Sequence, residues 1–236
     1  MLRAVLFDLD DTLFDHRLCA RTALTALHEA YDAFRTRPFA EIERLHGSFL
    51  EELHGRVTSG EMPLEQARRE RFRRLFGAVG LTPDDQVVAD AAETYRGGYV
   101  KTRRAVAGAA ALLAAVKQRA QVGIVSNNLL EEQQGKLRQC ALDRYVDALI
   151  VSEETGMSKP DPRIFHIALE RLGRRPDEVV MVGDSWLADV AGARAAGIRP
   201  IWFNPEREPA PEPEALVTEL YALEPVEDAL ETIFSP

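Results

Sequence analysis

The sequence predicts an α/β fold with a parallel sheet, because short apolar runs alternate with helical segments over the second half of the chain. Each run is continuously apolar, as is typical of strands that are buried on both faces. The predicted strands cover residues 4–7, 122–125, 148–151, 179–182 and 201–203. We therefore expect a sheet of five strands, or slightly more, with helices packed on its faces.

A helical segment without strands separates the first predicted strand from the second. Apolar residues recur at helical spacing in four stretches, and proline or glycine residues separate these stretches from one another. Gly97 and Gly98 are predicted to end the fourth helix and to act as a hinge. We expect residues 15–98 to form a separate helical domain, and residues 1–14 and 99–236 to form the α/β core.

The composition is that of an ordinary globular protein, with 46% hydrophobic and 28% charged residues. A formal net charge of −9 argues against a nucleic-acid polymer as partner, because such binding requires a basic surface. No stretch has the roughly 20 apolar residues of a membrane span, and Asp8 and Asp10 interrupt any signal peptide. The two cysteines, Cys19 and Cys140, lack a second ligand at metal-binding spacing, so we expect reduced thiols in a cytoplasmic protein.

Polar side chains cluster just beyond the carboxyl ends of the predicted strands. Ligands bind outside these ends in an open parallel sheet, so we expect the side chains to share one site. The carboxylates suit a hard cation such as Mg²⁺, whereas the lysine, the serine and backbone N–H groups suit a phosphate. Together they predict phosphoryl transfer. The residues concerned are Asp8, Asp10, Ser126, Asn127, Lys159, Asp184 and Asp189.

Four motifs, in this order along the chain, resemble those of the haloacid dehalogenase-like (HAD) hydrolase superfamily. The motifs are Asp8-Leu9-Asp10-Asp11-Thr12, Ser126-Asn127, Lys159-Pro160, and Gly183-Asp184-Ser185 followed by Asp189. The resemblance covers the whole chain and implies a Rossmann-like core with residues 15–98 as a helical cap domain. Residues 12–16 and 158–165 are most similar to the branch that contains 5′-nucleotidases and N-acylneuraminate-9-phosphatases. One departure is Ala188, where many relatives carry asparagine.

The resemblance implies an Mg²⁺-dependent phosphatase, a monomer or homodimer, that acts on a small phosphorylated metabolite such as a nucleotide or sugar phosphate. Asp8 would be the nucleophile and form an aspartyl phosphate, and Asp10 would be the general acid and base. Mg²⁺ would be bound by Asp8, the Asp10 carbonyl oxygen and Asp184, with Asp189 a ligand through water or an anchor. The substrate's phosphoryl group would be bound by Thr12, Ser126, Asn127 and Lys159.

Other functions stay open on the sequence. A phosphosugar mutase of the same superfamily would use Asp8 and Asp10 but keep the phosphoryl group between substrates. A phospho-accepting signalling receiver also combines aspartates, a hydroxyl and a lysine, but its phosphoacceptor follows the third strand, where this chain has Ser152 and Glu153. A dehalogenase would not need Asp10. Outside the motifs, the basic run at residues 68–74 favours a solvated helix face over a binding patch.

Overall fold

A six-stranded parallel sheet forms the centre of the α/β core in the computed structural model, which describes residues 1–211 and 217–235. The strands are β1 (Ala4–Phe7), β2 (Gln121–Ser126), β3 (Ala148–Val151), β4 (Val179–Gly183), β5 (Arg199–Phe203) and β6 (Thr218–Leu220). The predicted α/β class is confirmed, and β6 extends the five predicted strands to six. The proline- and glutamate-rich run at residues 205–213 is typical of a surface loop, and its residues 212 and 213 lie outside the described residues.

The strand order β3-β2-β1-β4-β5-β6 determines where a ligand can bind. The chain adds β2 and β3 on one side of β1 and then returns to add β4 on the other side. The carboxyl ends of β1, β2 and β4 are therefore neighbours at the point where the order reverses, which is where open α/β sheets bind ligands. All four residues of β1 have no exposed surface, as expected for a central strand covered on both faces.

Five helices make up a second compact unit of the chain. They are α1 (His16–Ala30), α2 (Asp32–Arg35), α3 (Phe39–Thr58), α4 (Leu64–Ala78) and α5 (Asp85–Lys101). Contacts divide the chain into this unit, His16–Arg103, and a core made of Met1–Asp15 and Arg104–Pro236. The helical unit thus extends to Arg103, beyond the expected limit at residue 98. That it serves as a cap stays a prediction.

The two glycines of α5 do not end the helix, and this prediction is wrong. The helix continues through Gly97 and Gly98 to Lys101, and Thr102 follows as its C-cap. A Cβ atom at Gly98 would lie 3.4 Å from both Cα and Cβ of Ala23, so the glycine allows α1 and α5 to approach closely. Tertiary packing therefore outweighs the low helix propensity of glycine, and the expected hinge loses its structural basis.

The basic run on α4 is only partly solvated. Arg69 and Arg73 are exposed, as the sequence predicts, but Arg71 is 8% exposed and belongs to the interior of the helical unit. The prediction of a fully solvated face is therefore wrong at Arg71. The buried stripe of α4 also contains Phe72 and Phe76, so Arg71 lies at the edge of an apolar interior rather than in open solvent.

The core also contains helices, which lie between most of its later strands. They are α6 (Ala109–Lys117), α7 (Leu130–Gln139), α8 (Ser152–Thr155), α9 (Pro162–Leu172), α10 (Gly192–Ala195) and α11 (Val226–Phe234). A single π-helical stretch, Trp186–Ala191, precedes α10. Pro162 opens α9, and Gly173 closes it with a φ of 65°, in keeping with the preference of proline for the first helical turn and of glycine for the position after a helix. Across the described chain, no helix combines the length and apolar character that crossing a membrane requires.

Candidate active site

A buried lysine connects the two aspartates that follow β1 and β4. Asp8 comes directly after β1, where its backbone N–H donates to the carbonyl oxygen of Val182 at 2.9 Å. The Nζ atom of Lys159 lies 2.5 Å from Oδ1 of Asp8 and 2.6 Å from Oδ1 of Asp189. All three of these side chains are buried. The structure thus brings together three residues that lie far apart in the sequence and were predicted to share a site.

The electrostatics of this group follow from its burial. Burial raises the pKa of the Asp8 carboxyl well above its usual range; Lys159 opposes this shift, and the carboxylates of Asp189 and Asp184 increase it. Burial alone would lower the pKa of Lys159, but the carboxylates of Asp189 and Asp8 outweigh burial and raise it. Lys159 is therefore held as an ammonium that can neutralise an anion.

The acidic residues that follow β1 and β4 fit a hard divalent cation. Asp8, Asp184 and Asp189 each offer a carboxylate oxygen, and these atoms lie within 4.8 Å of one another. Three carboxylates around one ammonium leave an excess of negative charge, which is costly in a buried site unless a cation compensates it. The donor atoms are all oxygen, the set that Mg²⁺ prefers. The three carboxylates therefore fit the Mg²⁺ ion that the sequence predicts at this site.

Two side chains hold Asp184 in position. The Thr12 hydroxyl donates to Oδ1 of Asp184 at 3.3 Å and accepts from its backbone N–H at 3.1 Å. The indole N–H of Trp202 donates to the Asp184 carbonyl oxygen at 2.9 Å. Thr12 has no exposed surface. Its expected contact with substrate stays a prediction, and the contact in this structure is with Asp184.

Asp189 has its position fixed by close packing. Besides Lys159, its carboxylate accepts from the backbone N–H of Ser185 at 3.0 Å, so the site does not depend on an asparagine at Ala188. Gly183 lies directly against this carboxylate: a Cβ atom there would be 2.3 Å from Cγ of Asp189. The glycine of the motif is required because Asp189 occupies the space that a side chain would take.

Asp10 lies apart from the Lys159 contacts and is held by side chains of α7 and of the segment just before it. Oδ1 accepts from Nζ of Lys136 at 2.5 Å, and Oδ2 accepts from the side-chain amides of Gln133 at 2.9 Å and Asn128 at 3.1 Å. Lys136 is 3% exposed and Gln133 has no exposed surface. The carboxylate of Asp10 is thus fixed by three donors, one of which is charged.

Ser126 and Asn127, at the end of β2, contact the other parts of the site. The Ser126 hydroxyl accepts from Nε2 of Gln133 at 2.6 Å. The Asn127 side chain accepts from the backbone N–H of Lys159 at 2.7 Å and donates to the Lys159 carbonyl oxygen at 2.8 Å, which fixes the loop that carries the lysine. Binding of phosphoryl oxygens by these two residues stays a prediction.

Four further residues contact the site but were not expected from the sequence: Lys136, Gln133, Asn128 and Trp202. Gln133 and Lys136 are three residues apart on α7, so they share one face of a helix that begins just after Ser126 and Asn127. Two polar side chains on the buried face of a short helix were the signal available. Trp202 gave no such signal, because its indole ring also fits an ordinary core position at the end of a strand.

Comparisons with known proteins support the family resemblance. A family model described as haloacid dehalogenase-like hydrolase matches residues 2–197. The chain is 33% identical to the ribulose-1,5-bisphosphate 5-phosphatase of Halopiger xanaduensis, over 88% of this chain and 87% of the relative. It is 30% identical to the pyrimidine 5′-nucleotidase YjjG of Escherichia coli, over 93% of this chain and 95% of the relative.

A solved structure agrees in fold over nearly the whole chain. The HAD hydrolase YfnB of Bacillus subtilis, in a structure described as bound to magnesium, has a TM-score of 0.75 and 28% sequence identity. The match covers 97% of this chain and 98% of that one. The predicted fold and enzyme class are thereby confirmed at the level of the family, and the two relatives named above are a phosphatase and a nucleotidase. The chain belongs to the haloacid dehalogenase-like hydrolase family.

Proposed function

We propose that this chain is an Mg²⁺-dependent phosphatase that hydrolyses a small soluble phosphomonoester, with Asp8 as the nucleophile. The proposal rests mainly on the ion pairs of Lys159 with Asp8 and Asp189, beside the carboxylate of Asp184. A lysine in this position lowers the cost of ionising a buried carboxylate and attracts a dianionic phosphate, which phosphoryl transfer to a carboxylate requires. The phosphatase names of the relatives support the same reaction.

In the first step, a carboxylate oxygen of Asp8 attacks phosphorus, and the bond between phosphorus and the ester oxygen breaks. Asp10 donates a proton to the leaving alkoxide, which departs as an alcohol. Lys159 offsets the negative charge on the attacking and transferring groups, while the Ser126 hydroxyl and the Asn127 N–H bind phosphoryl oxygens. The product on the enzyme is an aspartyl phosphate at Asp8.

In the second step, water attacks phosphorus, the bond to Asp8 breaks, and Asp10 takes the proton from the water. The three donors around Asp10, from Lys136, Gln133 and Asn128, stabilise its ionised form. The ionised carboxylate is the form that accepts a proton. The contacts of Asp10 in this structure therefore suit the second step, which ends with inorganic phosphate and a free Asp8 carboxylate.

Asp8, the Asp10 carbonyl oxygen and Asp184 would hold Mg²⁺, with Asp189 as a ligand through water or as an anchor. When bound, the ion supplies positive charge that stabilises the transferring phosphoryl group. Thr12 supports this role by fixing the Asp184 carboxylate with its hydroxyl group. Side chains that hold metal ligands in this way usually matter for affinity, so Thr12 is better explained as a positioning residue than as a substrate contact.

We further propose that the helical unit, His16–Arg103, is the cap that selects the substrate. Its five helices bury their own apolar stripes, and only two chain segments join it to the core. A cap of this kind would limit substrates to small phosphomonoesters such as nucleotides or sugar phosphates. The proposal includes a cytoplasmic monomer or homodimer, in keeping with two cysteines that are present as thiols.

Release of inorganic phosphate from p-nitrophenyl phosphate tests the proposed reaction. The wild type should release phosphate with Mg²⁺, and Asp8→Asn should lower the rate by about a thousandfold or more because the nucleophile is lost. Asp177→Asn is the matched control, because Asp177 is 70% exposed and pairs with Arg175, which is itself exposed. Turnover by Asp8→Asn at the wild-type rate would refute the mechanism.

The same assay distinguishes the alternatives. A phosphosugar mutase would convert a sugar phosphate into its isomer and release little inorganic phosphate. A phospho-accepting signalling module would become phosphorylated at a carboxylate without turning over. Sustained phosphate release in excess of the enzyme present is expected only for the phosphatase.

A further inference from the structure

One side-chain amide of α7 contacts two parts of the candidate active site at once. Nε2 of Gln133 lies 2.9 Å from Oδ2 of Asp10, which follows β1, and 2.6 Å from Oγ of Ser126, which ends β2. Gln133 has no exposed surface, and Ser126 is 2% exposed. All three residues belong to the α/β core. The amide therefore connects the proposed general acid with a proposed phosphate-binding hydroxyl.

The chemistry of Asp10 determines which way this amide faces. An ionised carboxylate only accepts hydrogen bonds, so the NH₂ group of Gln133, rather than its oxygen, must face Oδ2. The amide oxygen, Oε1, is buried and has no hydrogen-bond partner among the described residues. Turning the amide over would place this oxygen against the carboxylate. The structure thus leaves one acceptor unsatisfied and keeps two N–H bonds to the site.

The bond from Gln133 also fixes the direction of the Ser126 hydroxyl. An oxygen that accepts an N–H cannot send its own hydrogen back along the same line, so the O–H points away from the amide. Among the described residues, the bond from Gln133 is the only one that this hydroxyl makes. The hydroxyl hydrogen is therefore available to an acceptor on a ligand, such as a phosphoryl oxygen.

The other two donors to Asp10 do not share this double contact. Lys136, one turn further along α7, donates to Oδ1, and Asn128 donates to Oδ2. Neither side chain is hydrogen-bonded to Ser126. Loss of either one affects the carboxylate alone, whereas loss of the Gln133 amide affects the carboxylate and the hydroxyl together.

We infer that Gln133 is a positioning residue that couples Asp10 to Ser126. One N–H holds the carboxylate of the general acid, and the other turns the Ser126 O–H toward the phosphoryl group. This inference rests on the proposed function, in which Asp10 protonates the leaving group and Ser126 binds a phosphoryl oxygen. Removal of the amide therefore has two separable effects, a misplaced proton donor and a weaker contact with the phosphoryl group.

Two aryl phosphates separate these effects, because their leaving groups differ in basicity. p-Nitrophenolate is a weak base and departs without a proton, whereas phenolate is a stronger base and needs the proton from Asp10. The ratio of kcat/KM for p-nitrophenyl phosphate to kcat/KM for phenyl phosphate therefore measures proton donation. This ratio is independent of the fraction of folded enzyme.

Gln133→Met should raise the ratio about tenfold, a part of the usual contribution of a general acid, because Lys136 and Asn128 still hold the carboxylate. Gln133→Glu keeps the size of the side chain but removes both N–H donors, so it should raise the ratio at least as much and provides the test if Gln133→Met does not fold. Gln139→Met is the matched control, since Gln139 is an exposed glutamine of the same helix, and its ratio should equal that of the wild type.

A double variant tests the second contact. Ser126→Ala should lower kcat/KM for both substrates by a similar factor and leave their ratio unchanged, because it removes only the contact with the phosphoryl group. With p-nitrophenyl phosphate, adding Gln133→Met to Ser126→Ala should cost less than about threefold, since the amide acts on this substrate through the hydroxyl. Independent residues would instead give losses that multiply.

The outcomes distinguish this inference from the proposed function. No phosphate release from either aryl phosphate by the wild type with Mg²⁺ would overturn the proposed function, and the inference with it. Release by the wild type, with a ratio that Gln133→Met and Gln133→Glu leave unchanged, would overturn the coupling to Asp10 alone. Losses that multiply in the double variant would overturn the coupling to Ser126.

Discussion

Replacement of Gly183 by alanine should disable the site without changing any charged group. The added Cβ would lie 2.3 Å from Cγ and Oδ2 of Asp189, whereas ordinary contacts begin at 3.4 Å. The Asp189 carboxylate must therefore move by about 1 Å, and it is bonded to Lys159, which also contacts Asp8. A displacement of this size at a catalytic group lowers the rate by roughly a hundredfold. Overpacking should also cost about 1–3 kcal/mol of the free energy of unfolding.

The assay is kcat/KM for p-nitrophenyl phosphate, measured with thermal unfolding of the same samples. Gly77→Ala is the matched control, because a Cβ atom at Gly77 in α4 would meet no atom within 4 Å. Alanine is also the better helix former, so this control should keep its activity and unfold at the same or a higher temperature. A folded Gly183→Ala enzyme with kcat/KM within about threefold of the wild type would refute the argument from packing.

Three further predictions concern the metal, Asp10 and the helical unit. Chelation with EDTA should abolish activity, Mg²⁺ should restore it, and Asp184→Ala should require a much higher Mg²⁺ concentration. Lys136→Met should lower kcat about tenfold with little change in KM, because Asp10 loses its charged donor, whereas Lys117→Met at the surface should not. Because burial lowers the pKa of His46, its contribution to the free energy of unfolding should be constant above pH 6.5 and fall below it, by up to about 1.4 kcal/mol per pH unit. Chemical denaturation at a series of pH values, with the wild type and His46→Phe side by side, measures this contribution.

The sequence could locate the acidic part of the site because its position depends on topology alone. Asp8 and Asp184 follow strands that are neighbours in the sheet, and a parallel sheet brings such residues together whatever the helices do. Lys136 and Gln133 could not be placed in this way. Their contact with Asp10 depends on how α7 is rotated against the sheet, which spacing along the helix does not determine.

The errors within the helical unit have a common physical cause. Gly98 was expected to end a helix because of its intrinsic propensity, and Arg71 was expected in solvent because of its charge. Both expectations describe a residue in isolation. In the structure, Gly98 allows close contact with Ala23, and Arg71 lies over the ring of Tyr95, so packing between helices determines both positions.

The core site carries an excess of negative charge, and this imbalance has a cost. The carboxylates of Asp8, Asp184 and Asp189 exceed the positive charge of Lys159. A buried charge without its partner costs on the order of 3–5 kcal/mol, a large share of the stability of a protein this size. Mg²⁺ would offset this cost, whereas the phosphoryl group of a substrate adds further negative charge. We therefore expect the cation to bind before a dianionic phosphate can enter the site.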